Sequence, residues 1–111
     1  MPYNHRAAPA FAFIGTLYNL DWSFPEQLPQ GILYMCGQVE RCPTTDRLHW
    51  QLFIKTEKKV RFSQVKKILG QDTLDLTPVT MTEFKARRYA MKDETRVQGP
   101  FELGVYERPR S

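Results

Sequence analysis

The stretch RLHWQLFI, residues 47–54, alternates between apolar and polar side chains in the pattern that decides the fold of this chain. Positions 48, 50, 52 and 54 are all apolar, whereas His49 and Gln51 lie between them. Alternate side chains of a β-strand share a face, so this pattern predicts a strand whose apolar row faces a core. His49 and Gln51 then lie together on the opposite face.

A neighbouring strand is predicted at residues 31–40, and it forms a hairpin with this stretch around CPTTDR, residues 42–47. If the turn is centred on residues 44–45, Glu40 lies directly opposite His49. The same register gives the pairs Gln38–Gln51 on that face, and Val39–Trp50, Gly37–Leu52 and Met35–Ile54 on the other. One register therefore produces a polar cluster and an apolar core layer together.

The polar cluster has the chemistry of a metal site. Glu40, His49 and Gln51 would bring a carboxylate, an imidazole and an amide oxygen together at the edge of a sheet. This mixed oxygen and nitrogen set suits Mg²⁺ or Mn²⁺ better than a structural zinc. The alternative is the solvent-facing side of a half-exposed antiparallel sheet, and the spacing alone leaves both interpretations open.

The composition indicates one folded domain. The 111 residues are 41% hydrophobic and 25% charged, which provides one core and leaves no room for a second domain. The net charge of +4 favours an anionic partner such as nucleic acid. Cys36 and Cys42 are too few for a disulfide scaffold, so we expect reduced thiols in an intracellular protein. The apolar run at residues 8–15 is too short to cross a membrane, and we expect no membrane partner.

The remaining elements complete an α+β fold. Further strands are predicted at residues 9–19, 73–79 and 101–107, the second of them as an edge strand. A helix capped by Ser63 is predicted to end at Gly70. The order of elements predicts a ferredoxin-like (RRM-like) domain, with about five antiparallel strands and the helices gathered on one side of the sheet.

A second helix carries a candidate nucleophile. Thr80 and Glu83 form a capping box that predicts a helix running to about Lys92. Tyr89, Lys92 and Asp93 would then share one helix face. A tyrosine beside cations can attack a phosphodiester, although any tyrosine is by default a packing residue. A carboxylate is disfavoured near the C-terminal end of a helix, which indicates a role for Asp93 or its neighbour Glu94.

Taken together, these segments resemble the HUH endonuclease domain of the replication-associated (Rep) proteins of circular single-stranded DNA (CRESS-DNA) viruses. GTLYN at 15–19 is similar to the first family motif, usually F-T-L-N-N, and HWQLF at 49–53 is similar to the second, often H-L-Q-G-F. YAMK at 89–92 matches the third, Y-x-x-K. Glu40 lies where circovirus-like members carry a metal-binding glutamate. The resemblance extends through DETRVQGPFELG, residues 93–104.

The chain departs from the family pattern at three positions. The second motif has one histidine rather than the pair that named the HUH superfamily, as in the circovirus and nanovirus branches, and carries Gln51 at the other ligand position. Leu52 replaces the usual glycine of that motif, and Gly15 replaces the usual phenylalanine of the first. The sequence contains no P-loop, so the resemblance implies that residues 1–111 are the nuclease domain without the family's helicase and ATPase domain.

The resemblance implies a viral enzyme of the host nucleus that nicks and joins single-stranded DNA at the origin stem-loop to initiate rolling-circle replication. Tyr89 would form a covalent 5′-phosphotyrosine intermediate, and Lys92 would position or neutralise the phosphate. Mg²⁺ or Mn²⁺ would be held by Glu40, His49 and Gln51, with Asp93 completing the shell. The full-length protein is expected to be oligomeric.

Contacts to DNA are expected from basic side chains and from the TLYN segment. The candidate residues are Arg6, Thr16, Tyr18, Asn19, Lys58, Lys59, Arg61, Arg87 and Arg88. One rival interpretation is a non-catalytic RRM-like module that binds single-stranded nucleic acid, but the sequence lacks the aromatic-rich pattern of such modules. Another is a structural or capsid-associated protein, which rests only on the charge.

Overall fold

The computed structural model describes residues 8–79 and 82–107, and it has the predicted α+β class. Five strands form one antiparallel sheet: β1 Ala10–Leu17, β2 Ile32–Arg41, β3 Leu48–Val60, β4 Asp75–Pro78 and β5 Arg96–Leu103. Two helices connect them, α1 Phe62–Leu69 and α2 Glu83–Tyr89. The strand order β4-β1-β3-β2-β5 places β3 at the centre and makes β4 an edge strand, as predicted.

The predicted hairpin register is confirmed in full. Glu40 lies opposite His49 and Gln38 opposite Gln51, and the three apolar pairs lie on the other face. The central Leu52 is paired with Gly37 on β2 and with Gly15 on β1. A Cβ at Gly37 would lie 2.4 Å from the Gln51 backbone oxygen and 2.6 Å from Leu52 Cδ2. The leucine that replaces the family's glycine therefore fits because Gly37 leaves room for it, whereas Gly15 leaves room for Leu76, whose Cδ2 would lie 2.7 Å from an added Cβ.

The helices pack on opposite faces of the sheet, so the prediction that they gather on one side is wrong. Val65 of α1 belongs to the larger core cluster, with Met35, Trp50 and Leu52. Ala86 of α2 belongs to a second cluster, formed by residues of the alternate strand positions: Ala12, Tyr34, Cys36 and Phe53. We call these the back face and the front face. Each face of the sheet carries apolar side chains that must be shielded from water, and α1 packs on the back face and α2 on the front face.

The helix starts differ from the sequence expectation. The N-cap of α1 is Arg61, whose extended backbone continues from β3, and Ser63 lies inside the helix. Gly70 ends α1 in the left-handed conformation, as predicted. Thr80 of the predicted capping box lies outside the described residues, and α2 begins at Glu83 after Thr82. The Glu83 carboxylate pairs with Lys55 at 3.0 Å instead of capping the helix.

Helix α2 ends at Tyr89, one turn earlier than predicted, because side chains from the sheet take up the carbonyl groups that follow it. Gln38 Nε2 donates to the Lys92 carbonyl at 2.7 Å, and Arg96 Nη1 donates to the Met91 carbonyl at 3.3 Å. Lys92 and Asp93 therefore lie in a turn after the helix. The stripe of Tyr89, Lys92 and Asp93 along one helix face was a wrong prediction.

The last strand begins five residues earlier than predicted, at Arg96, and ends at Leu103. The strand includes Gly-Pro at 99–100, which an edge strand with register shifts against β2 tolerates. Both cysteines are free, as expected. Among the described residues, no helix has the length and apolar character needed to cross a membrane.

Candidate functional site

The centre of the candidate site is a buried carboxylate on the front face. Glu40 is only 2% exposed, at the end of β2 beyond the area that α2 covers. Gln38 Nε2 donates to Glu40 Oε2 at 2.7 Å, and this amide side chain is fully buried. A buried charge needs hydrogen bonds and a counter-charge, so the residues around Glu40 define a site with a strict electrostatic requirement.

Lys92 supplies the counter-charge and brings the candidate nucleophile into the site. Its Nζ lies 3.0 Å from Oε1 and 3.2 Å from Oε2 of Glu40. The same Nζ lies 3.8 Å from the centre of the Tyr89 ring. Tyr89 is 50% exposed, so its ring is open to a substrate. The Lys92 ammonium therefore connects an accessible phenol to a buried carboxylate.

His49 faces Glu40 across the two strands. Its Nε2 lies 3.6 Å from Glu40 Oε1, and its buried Nδ1 has no hydrogen-bond partner among the described residues. An imidazole has two ring nitrogens, and one of these is uncommitted here. The exposed side of His49 is partly covered by Tyr18, whose ring centre lies 5.7 Å away.

Gln51 completes the predicted group. Its Nε2 donates to the Gly15 carbonyl at 3.0 Å, which fixes the amide, and its Oε1 accepts from Thr16 Oγ1 at 3.4 Å. The structure therefore places Glu40, His49 and Gln51 on one sheet face. Within residues 8–79 and 82–107, no three His, Cys, Asp or Glu side chains form a metal cluster, so a metal here would need the Gln51 amide.

Asp93 has a different partner from the one predicted. Its carboxylate is 86% exposed and lies 2.6 Å from Arg96 Nη2. The structure therefore places it at the surface beside Arg96, and its predicted role as a metal ligand stays a prediction. Arg88 and Asp93 both line a surface cavity of about 610 Å³ together with the candidate nucleophile Tyr89.

The other candidate DNA contacts divide into two distant groups. Tyr18 and Asn19 follow β1 at the end of the sheet that holds His49, and both are exposed. Lys58, Lys59 and Arg61 lie at the opposite end of β3, about 30 Å from His49 at the usual rise of a strand. Arg6 lies outside the described residues. The guanidinium of Arg87 is held by Glu102 at 2.7 Å and by the Tyr34 hydroxyl at 2.8 Å, and so attaches α2 to the sheet.

Sequence reasoning assigned no role to three residues that the structure brings to the site. Gln38 holds both Glu40 and the Lys92 turn, and Arg96 holds the other side of that turn. The hairpin register already placed Gln38 on the correct face, which was the available signal. Arg47 lies with its guanidinium carbon 3.9 Å from the Tyr18 ring centre, a contact that spacing could not predict.

Comparison with known protein families identifies the class of protein to which this fold and site belong. Residues 11–93 match the family described as "Putative viral replication protein". Because the match covers most of the chain, the chain belongs to this family of viral replication proteins.

Individual relatives agree with the family. Over 83 residues the chain is 31% identical to the "Master replication protein" of Subterranean clover stunt virus (strain F). The aligned region covers 75% of this chain and 28% of the relative. Over 97 residues it is 32% identical to the protein of the same name from Banana bunchy top virus, covering 81% and 33%. The chain thus spans about a third or less of the length of these curated relatives.

Proposed function

We propose that this chain is the nuclease domain of a viral replication initiator, which nicks and rejoins single-stranded DNA at the origin stem-loop. The Tyr89 hydroxyl oxygen attacks the scissile phosphorus and forms a new P–O bond. The bond to the 3′-oxygen breaks, leaving a 3′-hydroxyl for a polymerase and a 5′-phosphotyrosine on the protein. The reverse attack by a 3′-hydroxyl rejoins the strand.

The position of Lys92 carries this proposal. A surface tyrosine alone is a poor nucleophile, because its phenolate is not stabilised at neutral pH. The ammonium 3.8 Å from the Tyr89 ring supplies positive charge where the phenolate and the pentacoordinate phosphate develop negative charge. A binding-only module has no need for an exposed phenol, a lysine and a buried carboxylate in contact.

The residues present fit a divalent cation. Glu40 offers a buried carboxylate, Gln51 a fixed amide oxygen, and His49 an imidazole with a nitrogen that has no partner among the described residues. These donors suit Mg²⁺ or Mn²⁺. A bound cation would supply Lewis-acid stabilisation of the phosphate oxygens, while Lys92 orients the Tyr89 side of the site.

The substrate and setting follow from the same proposal. Tyr18, Asn19 and Arg88 would contact the DNA near the scissile phosphate, and Lys58, Lys59 and Arg61 would contact a more distant part of the strand. Membership of a viral replication family supports a role in viral replication. We propose that this role is rolling-circle replication in the host nucleus, in an oligomer of the full-length protein. We further propose that the protein is a circovirus-like Rep, because Glu40 lies where those members carry a metal-binding glutamate.

Tyr89→Phe tests the proposal, because it removes one oxygen and keeps the ring beside Lys92. With a labelled origin oligonucleotide and Mn²⁺, we expect the wild-type protein to form a covalent adduct on a denaturing gel. The variant should lose the adduct, nicking and joining, and should keep its DNA affinity, which comes mainly from phosphate contacts and stacking.

Tyr106→Phe is the matched control, since it makes the same change at a tyrosine that packs against Tyr34 and Phe53. This control should retain the adduct. Peptide mapping of the wild-type adduct should find the nucleotide on the segment containing YAMK. An adduct that persists in Tyr89→Phe, or one mapped to Tyr18, would disprove the proposal.

A further inference from the structure

A cavity of about 390 Å³ lies on the back face, opposite the Glu40 site. Four aromatic rings line it: Trp22, Phe24, Trp50 and Phe101. Phe24 and Phe101 are stacked with centres 5.4 Å apart and planes 22° apart, and Trp22 meets Trp50 edge to face at 5.1 Å. A concave aromatic site of this volume has the dimensions of a small-ligand pocket.

The exposed residues that line the cavity include three large apolar side chains beside the polar Ser23 and Gln98. Leu20 is 48% exposed, Val97 45% and Phe101 37%, and all three line the opening. Trp50 also lines the cavity and is only 5% exposed. A wall of four aromatic rings suits a flat ring that can stack on it more than an aliphatic side chain.

A basic and aromatic connection leads from the Glu40 site to this cavity around the end of the sheet. Leu48 lines the cavity, and the next residue, His49, faces the site on the other side of β3. Tyr18 follows Leu17, which is paired with Trp50, so it lies at the same end of the sheet. It is 48% exposed, with its ring 5.7 Å from that of His49. The guanidinium of Arg47 covers the Tyr18 ring at 3.9 Å. A strand that leaves the site would therefore meet a cation first and the cavity next.

We propose that this cavity binds one base of the single-stranded DNA, flanking the scissile phosphate, while Arg47 contacts the intervening backbone. This inference rests on the proposed function, because it names a second contact of the same substrate. Stacking on aromatic side chains is a common way to hold an unpaired base. The positive charge at the connection favours a polyanion over an apolar segment of another protein.

Tryptophan fluorescence tests the proposal directly, since the chain contains two tryptophans and both line the cavity. The protein is titrated in EDTA, which prevents metal-dependent cleavage, with an origin oligonucleotide whose binding is followed in parallel by anisotropy. We expect quenching that saturates together with binding. In a series of oligonucleotides with one abasic position each, a single position should lose the quenching and about tenfold in affinity.

Phe101→Ala should reproduce the loss seen with the abasic oligonucleotide, whereas Phe11→Ala should not. Phe11 is a fair control because it is the same residue type, 46% exposed, at the start of β1. Normal DNA binding and nicking without any quenching would overturn the cavity assignment and leave the proposed function intact. Equal effects of all abasic positions would also overturn it. So would a change from dimer to monomer in Phe101→Ala, which would assign the cavity to a second copy of the chain.

Discussion

At the scale of single residues, the Lys92 ammonium occupies the position next to Glu40 that a divalent cation would also need. Both Glu40 oxygens lie within 3.2 Å of Nζ, so the ammonium and a cation compete for the same carboxylate. Lys92→Met keeps the length of the side chain and removes this competition. It also leaves a buried carboxylate without a counter-charge, which costs about 3 kcal/mol.

We therefore expect Lys92→Met to be less stable than the wild-type protein in EDTA and to gain more from Mn²⁺. Urea unfolding with and without the ion measures both effects. Lys85→Met, an exposed change on α2, should alter neither value. An equal stabilisation of wild type and Lys92→Met by Mn²⁺ would show that the ion does not use Glu40.

The contrast between Glu40 and Lys92 also shows what the sequence can predict. The Glu40–His49 pairing is predictable, because one register has to place four polar residues on one face and an apolar row on the other. The position of Lys92 is not, because it depends on Gln38 and Arg96, which belong to two different strands and end α2 one turn early. The fit of Leu52 against Gly37 becomes clear only when the pairing of β2 with β3 is known.

At the scale of elements, the attachment of α2 to the sheet determines where Tyr89 lies. Arg87 holds Glu102 of β5 and the hydroxyl of Tyr34 on β2, and the Tyr34 hydroxyl also bonds Glu102. The hydrogen bonds from Tyr34 and from Arg87 lower the pKa of the Glu102 carboxyl. Such a group stabilises the fold above its unfolded pKa of about 4.3, and this contribution disappears as the pH falls through the lower folded value.

Glu102→Gln should therefore destabilise the protein at pH 7 by about 1 kcal/mol, a modest value because the side chain is 43% exposed. The difference from wild type should narrow as the pH falls below about 4. Urea unfolding across this pH range is the measurement, and Glu26→Gln, an exposed loop change, is the control. A difference that is constant with pH would mean that the Glu102 charge does not contribute to holding α2.

At the scale of the whole molecule, the basic residues at the two ends of β3 cannot all serve one short substrate. Lys58 and His49 are separated by about 30 Å along the strand, close to the full 36 Å extent of the molecule. A short oligonucleotide centred on the scissile phosphate would contact Arg88 and not Lys58. Only a longer strand could reach both ends.

This separation predicts that the salt dependence of binding changes with substrate length. For an oligonucleotide of about 8 nucleotides, within the usual range for small domains, the double variant Lys58→Met, Lys59→Met should bind like wild type. For a strand several times longer, the slope of log affinity against log salt should fall by about 0.7 for each phosphate that the variant no longer neutralises. Arg88→Met should reduce the slope at both lengths, because Arg88 lies beside Tyr89. Anisotropy titrations at several salt concentrations distinguish the two cases. If the double lysine variant reduced the slope for the short oligonucleotide as much as for the long strand, the DNA would have to run along β3 through the site.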